Sequence, residues 1–314
     1  MRVIHHIIIA ALFLTTLFGV IPNKKTHQED DLGNTSNQFA HSRVVTSHSY
    51  FNGNEWYARV VNDGQWATDE PPLGVPGGLW PRGSNNSVLY DAGLWIVFNH
   101  DENVTGFSGV QWQSDFTPGP YGVSDSDNEN YRVYKVNRWD DATVSDWSDW
   151  PADMGAPWQD NNSDGSYDPA VDQPYLPLDQ TLYSVYNDST DHPVFGTSIN
   201  GIEVHQTIFG GVSAAHNDLS RTFFIKYEII NKGSLSWHNA RFGPFTDVDL
   251  GDWENDAIGV DVDSNMVYCY SAEAGADADV FGISPAVGFR YISGLNSLDD
   301  SLSSGGCIGW GCTD

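Results

Sequence analysis

The chain has 314 residues, with 14 Lys and Arg against 42 Asp and Glu, a formal net charge of −28. Such a surface repels nucleic-acid phosphates and anionic lipid heads and attracts cations, which excludes nucleic acid as a partner. Hydrophobic residues make up 40% and aromatics 13%, with 31 Gly and 15 Pro to supply turns. This composition supports a packed core of many short strands and argues against a helical bundle.

In chain order, Arg2, His5 and His6 precede an apolar run over residues 7–21. It is shorter than the roughly 20 apolar residues that cross a bilayer. Residues 1–22 are therefore expected to be a secretion signal, although no small-x-small cleavage pattern follows and an uncleaved anchor is the alternative. No later run approaches membrane-spanning length. Residues 23–43 are polar and without periodicity, a flexible leader.

Residues 44–150 form an N-terminal β region. A hairpin is expected to start over 44–61, with a turn at Asn62-Asp63-Gly64. Residues 71–83 are a Pro- and Gly-dense loop, and 87–98 are a buried strand or strand pair. Polar turns at 99–103 and 125–130 lead to a strictly alternating strand over 131–136. Trp139, Trp147, Trp150 and Trp158 punctuate a stretch rich in Asp, Ser and Pro that reads as a short helix or irregular cap. Residues 151–180 are a Trp- and Asp-rich segment, and 181–314 a β-sandwich region. In the latter, 202–209 and 222–231 are the strongest strands. A return strand over 237–245 and one or two more across 257–270 follow. No stretch holds a helical period over three turns. The expected fold is all-β, a β-sandwich with long loops and an inserted calcium-type loop.

That loop begins at Asp160. Side-chain oxygens at its positions 1, 3 and 5 come from Asp160, Asn162 and Asp164, and Gly165 at position 6 permits a sharp turn. Ser166 offers a backbone carbonyl at position 7, Asp168 stands at position 9, and Asp172 follows. Calcium takes six to eight hard oxygen ligands, and this spacing supplies them around one point. Position 12 holds Val171 where a calcium hand has a bidentate Glu, and Pro169 breaks the helix that would follow. The loop is thus expected to be of the dockerin or thrombospondin-repeat kind in its first half, with weak, extracellular-range affinity for calcium. A plain acidic turn on a solvated surface is the alternative. Asp247, Asp249, Asp252 and Asp256 form a second acidic patch, a possible second metal site whose spacing fits no loop template.

Trp147, Trp150 and Trp158 are candidate glycan contacts, because exposed aromatic rings stack on sugars while neighbouring Asp and Asn bond the hydroxyls. The alternative is that these rings pack a cap onto the sandwich. No zinc-hydrolase helix motif or serine-nucleophile elbow occurs, and with so many acids any glycosidase-like carboxylate pair is unspecific. Cys269, Cys307 and Cys312 are too few for a disulfide framework, although Cys307 and Cys312 are placed to pair locally. The odd count and the stop at Asp314 lead to the expectation that the chain is a truncated piece.

Several stretches resemble one family of secreted proteins of unknown function from Bacteroidetes and Ignavibacteria lineages. They are Trp80-Pro81-Arg82-Gly83-Ser84, Tyr90-Asp91-Ala92-Gly93-Leu94-Trp95, Ala156-Pro157-Trp158, Gly201-Ile202-Glu203-Val204, Ile229-Ile230-Asn231-Lys232-Gly233 and Asp249-Leu250-Gly251-Asp252. Such proteins usually end in a type IX secretion sorting domain, which this chain does not show. The resemblance implies export and surface display and no particular reaction. The expected role is a secreted or cell-surface, calcium-binding structural or adhesive protein. Its partners would be extracellular polysaccharide or other surface proteins, and the mature chain would carry no membrane span. A carbohydrate-binding module and an extracellular hydrolase are the alternatives.

Overall fold

The computed structural model describes residues 4–13 (backbone only), 47–68, 77–100, 105–123 and 127–294. The expected leader at 23–43, Cys307 and Cys312 lie outside the described residues. In chain order the strands begin with β1 (Ile4–Phe13), β2 (His48–Phe51), β3 (Tyr57–Val61), β4 (Gly78–Leu79), β5 (Ser87–Asn99) and β6 (Thr105–Gln111). Then come β7 (Gln113–Ser114), β8 (Thr117–Pro118), β9 (Tyr134–Asn137), the helix α1 (Ser145–Ser148), β10 (Trp158–Gln159) and β11 (Gln173–Pro174). β12 (Gln180–Asn187), β13 (Ile202–Gly210), β14 (Thr222–Asn231) and β15 (His238–Val248) follow. Last are β16 (Asp256–Asp261), β17 (Met266–Ser271), the helix α2 (Ala278–Phe281) and β18 (Ala286–Gly294).

The chain is all-β and sandwich-like. One sheet runs β16-β17-β18-β1-β14-β13-β12-β8, with β9 also on β12. The other runs β2-β3-β4-β5-β6-β7, with β15 on the free side of β5. The paired strands are antiparallel. Period-two alternation decides which side chains enter the core. On β14, Phe223, Ile225, Tyr227 and Ile229 are buried, while Phe224, Lys226 and Glu228 between them are only partly covered. Phe223 is the meeting point of the two sheets. Its ring lies 5.3 Å from that of Phe51, 5.4 Å from Trp56 and 5.8 Å from Trp66, centroid to centroid. Edge-on contacts of this kind add to the burial of large rings.

β12 is buried along its whole length because both of its faces are covered. Leu182 and Tyr186 join the core between the sheets. Tyr183 and Val185 point the other way, into a second core with Tyr134, Val136, Trp150 and Ala156. Trp147, Met154, Trp158, Tyr167 and Leu176 pack against that second core. The Trp- and Asp-rich segment is therefore a cap on the outer face of the larger sheet, and it carries the acidic loop.

One expectation meets a different arrangement. Residues 237–245 do form a strand, but β15 does not return beside β14. It crosses to the other sheet and pairs with β5 from His238↔Asn99 to Val248↔Leu89. The stretch 87–98 is a single continuous strand, the first of the two forms expected. The segments on either side of residue 150 share a sheet, since β8 and β9 pair with β12. The segment expected as a secretion signal supplies β1, which pairs with β14 on one side and β18 on the other. Among the described residues no helix is long and apolar enough to cross a membrane.

Candidate functional site

The acidic loop is closed at its base by the ribbon β10-β11, in which Trp158 faces Pro174 and Gln159 faces Gln173. Between them the chain wraps around Asp160. Its Oδ1 accepts from the backbone N–H of Ser163 at 2.6 Å and of Asp164 at 3.3 Å, and its Oδ2 from Gly165 at 2.9 Å. Gly165 sits at φ +76°, the left-handed conformation the spacing called for. Asn162 Oδ1 accepts from Asp164 N at 3.1 Å, and Asn162 Nδ2 donates to Asp164 Oδ2 at 2.8 Å. Asp164 Oδ1 accepts from Ser166 N at 2.8 Å.

Asp172 does a different job. It is 2% exposed. Its two oxygens accept from Asn161 N at 2.9 Å and Asp168 N at 2.8 Å, tying the two ends of the loop together. Asp168 turns toward Ala170, whose N–H it accepts at 2.9 Å. The structure thus links Asp160, Asn162, Asp164 and the Ser166 N–H in one hydrogen-bonded turn, while Asp168 and Asp172 bond other backbone groups of the loop. Among the described residues no three acids, imidazoles or thiols form a group that could hold a metal ion. Backbone N–H dipoles compensate the carboxylates, as Asx-type turns do. What suits a hard cation is the donor set: the Asp160 and Asp164 carboxylates, the Asn162 amide oxygen and a backbone carbonyl are all oxygen.

The second acidic patch lies where β15 leads into β16. Asp256 accepts from Leu250 N at 2.9 Å, and Asp277 Oδ1 accepts from Asp252 N at 2.8 Å. Burial, followed by repulsion from Asp277, Asp249 and Asp252, pushes the Asp256 carboxyl up to about 6 despite the Leu250 N–H. Burial also raises Asp247, and burial with the charge of Asp247 raises Asp249. This is mutual repulsion without a gathered ligand set. Nearby Cys269, in β17, is a buried free thiol pushed up to about 12 by burial and by Asp256.

Of the candidate glycan contacts, Trp150 is 3% exposed and sits in the second core, its indole N–H donating to the Pro157 carbonyl at 3.0 Å. It has no face open to a sugar, which corrects that expectation. Trp147 and Trp158 are half-buried at the edge of the same core. Trp147 donates to Pro169 O at 3.3 Å, and Trp158 meets Tyr167 edge-on at 5.6 Å.

Two features escaped the reading of the sequence. Glu203 accepts from His205 Nε2 at 3.0 Å, Lys232 Nζ at 2.9 Å and Tyr121 N at 2.7 Å. Burial opposes its ionisation, yet these donors outweigh burial and hold it down to about 2. The signal was a Glu and a His two apart on one strand face, but Lys232 and Tyr121 come from other segments. The second feature is a cavity of about 390 Å³ beside the cap, lined by Tyr131, Tyr134, Asn128, Asn130, Asp149 and Asp153 among others. Comparison with known proteins returned no matching family model, no matching curated protein and no matching solved structure.

Proposed function

We propose that this chain is an exported structural or adhesive β-protein, displayed at the cell surface or released, whose 160–172 loop takes up calcium. The observation that carries the reading is the pre-folded turn around Asp160. It gathers two carboxylates and an amide oxygen around one turn, on a loop clasped by β10-β11. Calcium accepts carbonyl and amide oxygens as readily as carboxylates, and water fills the remaining positions. Asp160, Asn162, Asp164 and Ser166 would hold the ion, which would neutralise the two acids and stiffen the cap. The test is calorimetric titration of the purified chain with calcium chloride, with Asp160→Ala and Asp164→Ala beside it. A single site of Kd about 10⁻⁴ to 10⁻³ M, lost in both variants, is expected. Absence of heat at millimolar calcium sinks the reading.

A second reading is a carbohydrate-binding module, favoured by the cavity next to the cap with its tyrosine rings, amides and acids. A broad glycan array separates the two. Retention of any oligosaccharide supports the module, and a silent array leaves the structural role.

A further inference from the structure

We infer that the cavity bordered by Tyr131, Tyr134, Asp149 and Asp153 binds a neutral or amino-bearing saccharide unit; the inference rests on the carbohydrate-binding reading and gives it a site. The site differs from the tryptophans singled out in the sequence. One wall is the turn after β8. Asn187, buried at the end of β12, donates from its amide to the carbonyls of Thr117, Gly119 and Pro120 at 3.3, 2.7 and 3.2 Å. Gly119 has φ +98°, and a Cβ there would stand 2.6 Å from the Tyr131 ring. The absent side chain lets that ring lie flat against the turn. The facing wall is the cap. Tyr134 rises from β9 and its hydroxyl donates to Asn130 O at 2.9 Å. Met154 is anchored through its carbonyl, which accepts from the Tyr183 hydroxyl at 2.8 Å. Both walls are thus tied to β12, one through Asn187 and the other through Tyr183 and the pairing of β9 with β12.

Its chemistry narrows the ligand. The volume of about 390 Å³ lies at the small end of the range for small-molecule sites, sized for a mono- or disaccharide. An entirely apolar ligand would strip water from the exposed amides and carboxylates without replacing its hydrogen bonds, which is costly. An anionic ligand would face Asp149 and Asp153. The nearby cation, Arg132, is already engaged, 2.8 Å from Asp146, 3.7 Å from Asp149 and 4.0 Å above the Tyr134 ring. A sugar unit satisfies both demands. Its hydroxyls donate to the acids and exchange hydrogen bonds with Asn128 and Asn130, and its C–H face lies on the ring of Tyr131, which is partly exposed where Tyr134 is buried. An amino group at one position would gain further from Asp153.

The test is ligand-observed saturation-transfer NMR on the full chain with cellobiose, chitobiose, glucosamine and glucuronic acid, repeated on Asp153→Asn and Tyr131→Phe. At least one neutral or amino sugar is expected to bind, and glucuronic acid is not. Asp153→Asn, an exposed isosteric change, is expected to weaken the glucosamine affinity about tenfold, the range for a hydrogen bond to a charged group. Tyr131→Phe keeps the ring and is expected to retain binding. Sugar binding that Asp153→Asn leaves unchanged, or preference for glucuronic acid, overturns the cavity assignment while the module reading stands. Silence from all four probes also overturns it, and the glycan array then decides the module reading separately.

Discussion

Trp66 and Tyr227 join the two sheets by one hydrogen bond: the indole N–H of Trp66 donates to the Tyr227 hydroxyl at 3.0 Å, both residues being fully buried. Each polar atom would otherwise stand unpaired in the core. Burial keeps the Tyr227 hydroxyl protonated, far above its usual range, despite the Trp66 N–H. Tyr227→Phe is expected to cost about 1–3 kcal/mol by orphaning the indole N–H. Trp66→Phe adds a packing loss of similar size or more, because the smaller ring leaves space beside Phe223. A double-mutant cycle by urea denaturation should therefore be non-additive, the second change costing less in the background of the first. Strict additivity would mean the bond contributes nothing.

Asp188 fixes the far end of the same core. Its carboxylate accepts from Ile202 N at 2.7 Å, Asn200 N at 2.8 Å and Ser108 Oγ at 3.1 Å, and the His192 ring lies 3.7 Å away. One side chain thereby holds β12, the start of β13 and β6. Asp188→Ala leaves three buried donors without an acceptor, with an expected loss of about 3–5 kcal/mol. Asp188→Asn keeps the shape and one acceptor oxygen and should lose less. Chemical denaturation of both variants checks the order.

Much of the fold was legible because local pattern and tertiary role coincide. β13 and β14 alternate in sequence as they alternate in burial, and the long apolar run at 87–98 is a central strand with neighbours on both sides. The turn at Gly165 was readable because its position demands a positive φ. The partner of β15 was not readable. Its residues alternate no better toward β14 than toward β5, and the choice of sheet is made by packing over a long sequence separation. The acids of the 160–172 loop show a related limit. Ligand spacing and Asx-turn spacing are the same pattern, and here the backbone N–H groups claim Asp160 and Asp172. Trp150 shows a third. A tryptophan among Asp and Ser says nothing of which face of the sheet will cover it, and this one is covered by Tyr134, 6.4 Å away, and Tyr183, 6.0 Å away.

The buried acids set an unusual dependence on pH. Burial, opposed mainly by the Gln65 N–H, pushes Asp63 up from 3.8 to about 6, and Asp256 is raised to about 6 as well. Between those values the folded protein holds more protons than the unfolded chain, so stability falls as pH rises from about 4 through 6. Glu203, held down to about 2, acts in a separate window: its contribution is present above about 4.5 and fades as pH falls toward 2. The melting temperature is therefore expected to peak near about pH 4.5 and to decline toward neutrality. Asp63→Asn should raise stability at pH 7 by about 1–3 kcal/mol, and with Asp256→Asn should flatten the slope above pH 5. Thermal melts from pH 4 to about 7.5 would reveal it, and a wild-type curve that rises steadily over that range would refute the assignment.

The last prediction concerns β1. It is an internal strand, with Ile7 opposite Tyr227 on β14 and Ile9 opposite Tyr291 on β18. The same residues lie within the expected secretion signal. If export removes residues 1–22, β14 and β18, of 10 and 9 residues, are left facing each other across a vacated strand position. Two strand spacings amount to about 10 Å, too far for direct hydrogen bonds. Two rows of unpaired N–H and C=O groups would then flank a slot on the sheet, a template for strand addition. A processed chain beginning at Asn23 is expected to melt about 5 °C or more below the full chain. It should also self-associate in sedimentation velocity where the full chain does not. A synthetic peptide of residues 4–13 should bind the processed chain and restore its melting temperature. Equal melting temperatures and equal sedimentation for the two forms would mean that β14 and β18 close on each other, and that the first strand contributes nothing to the folded sheet.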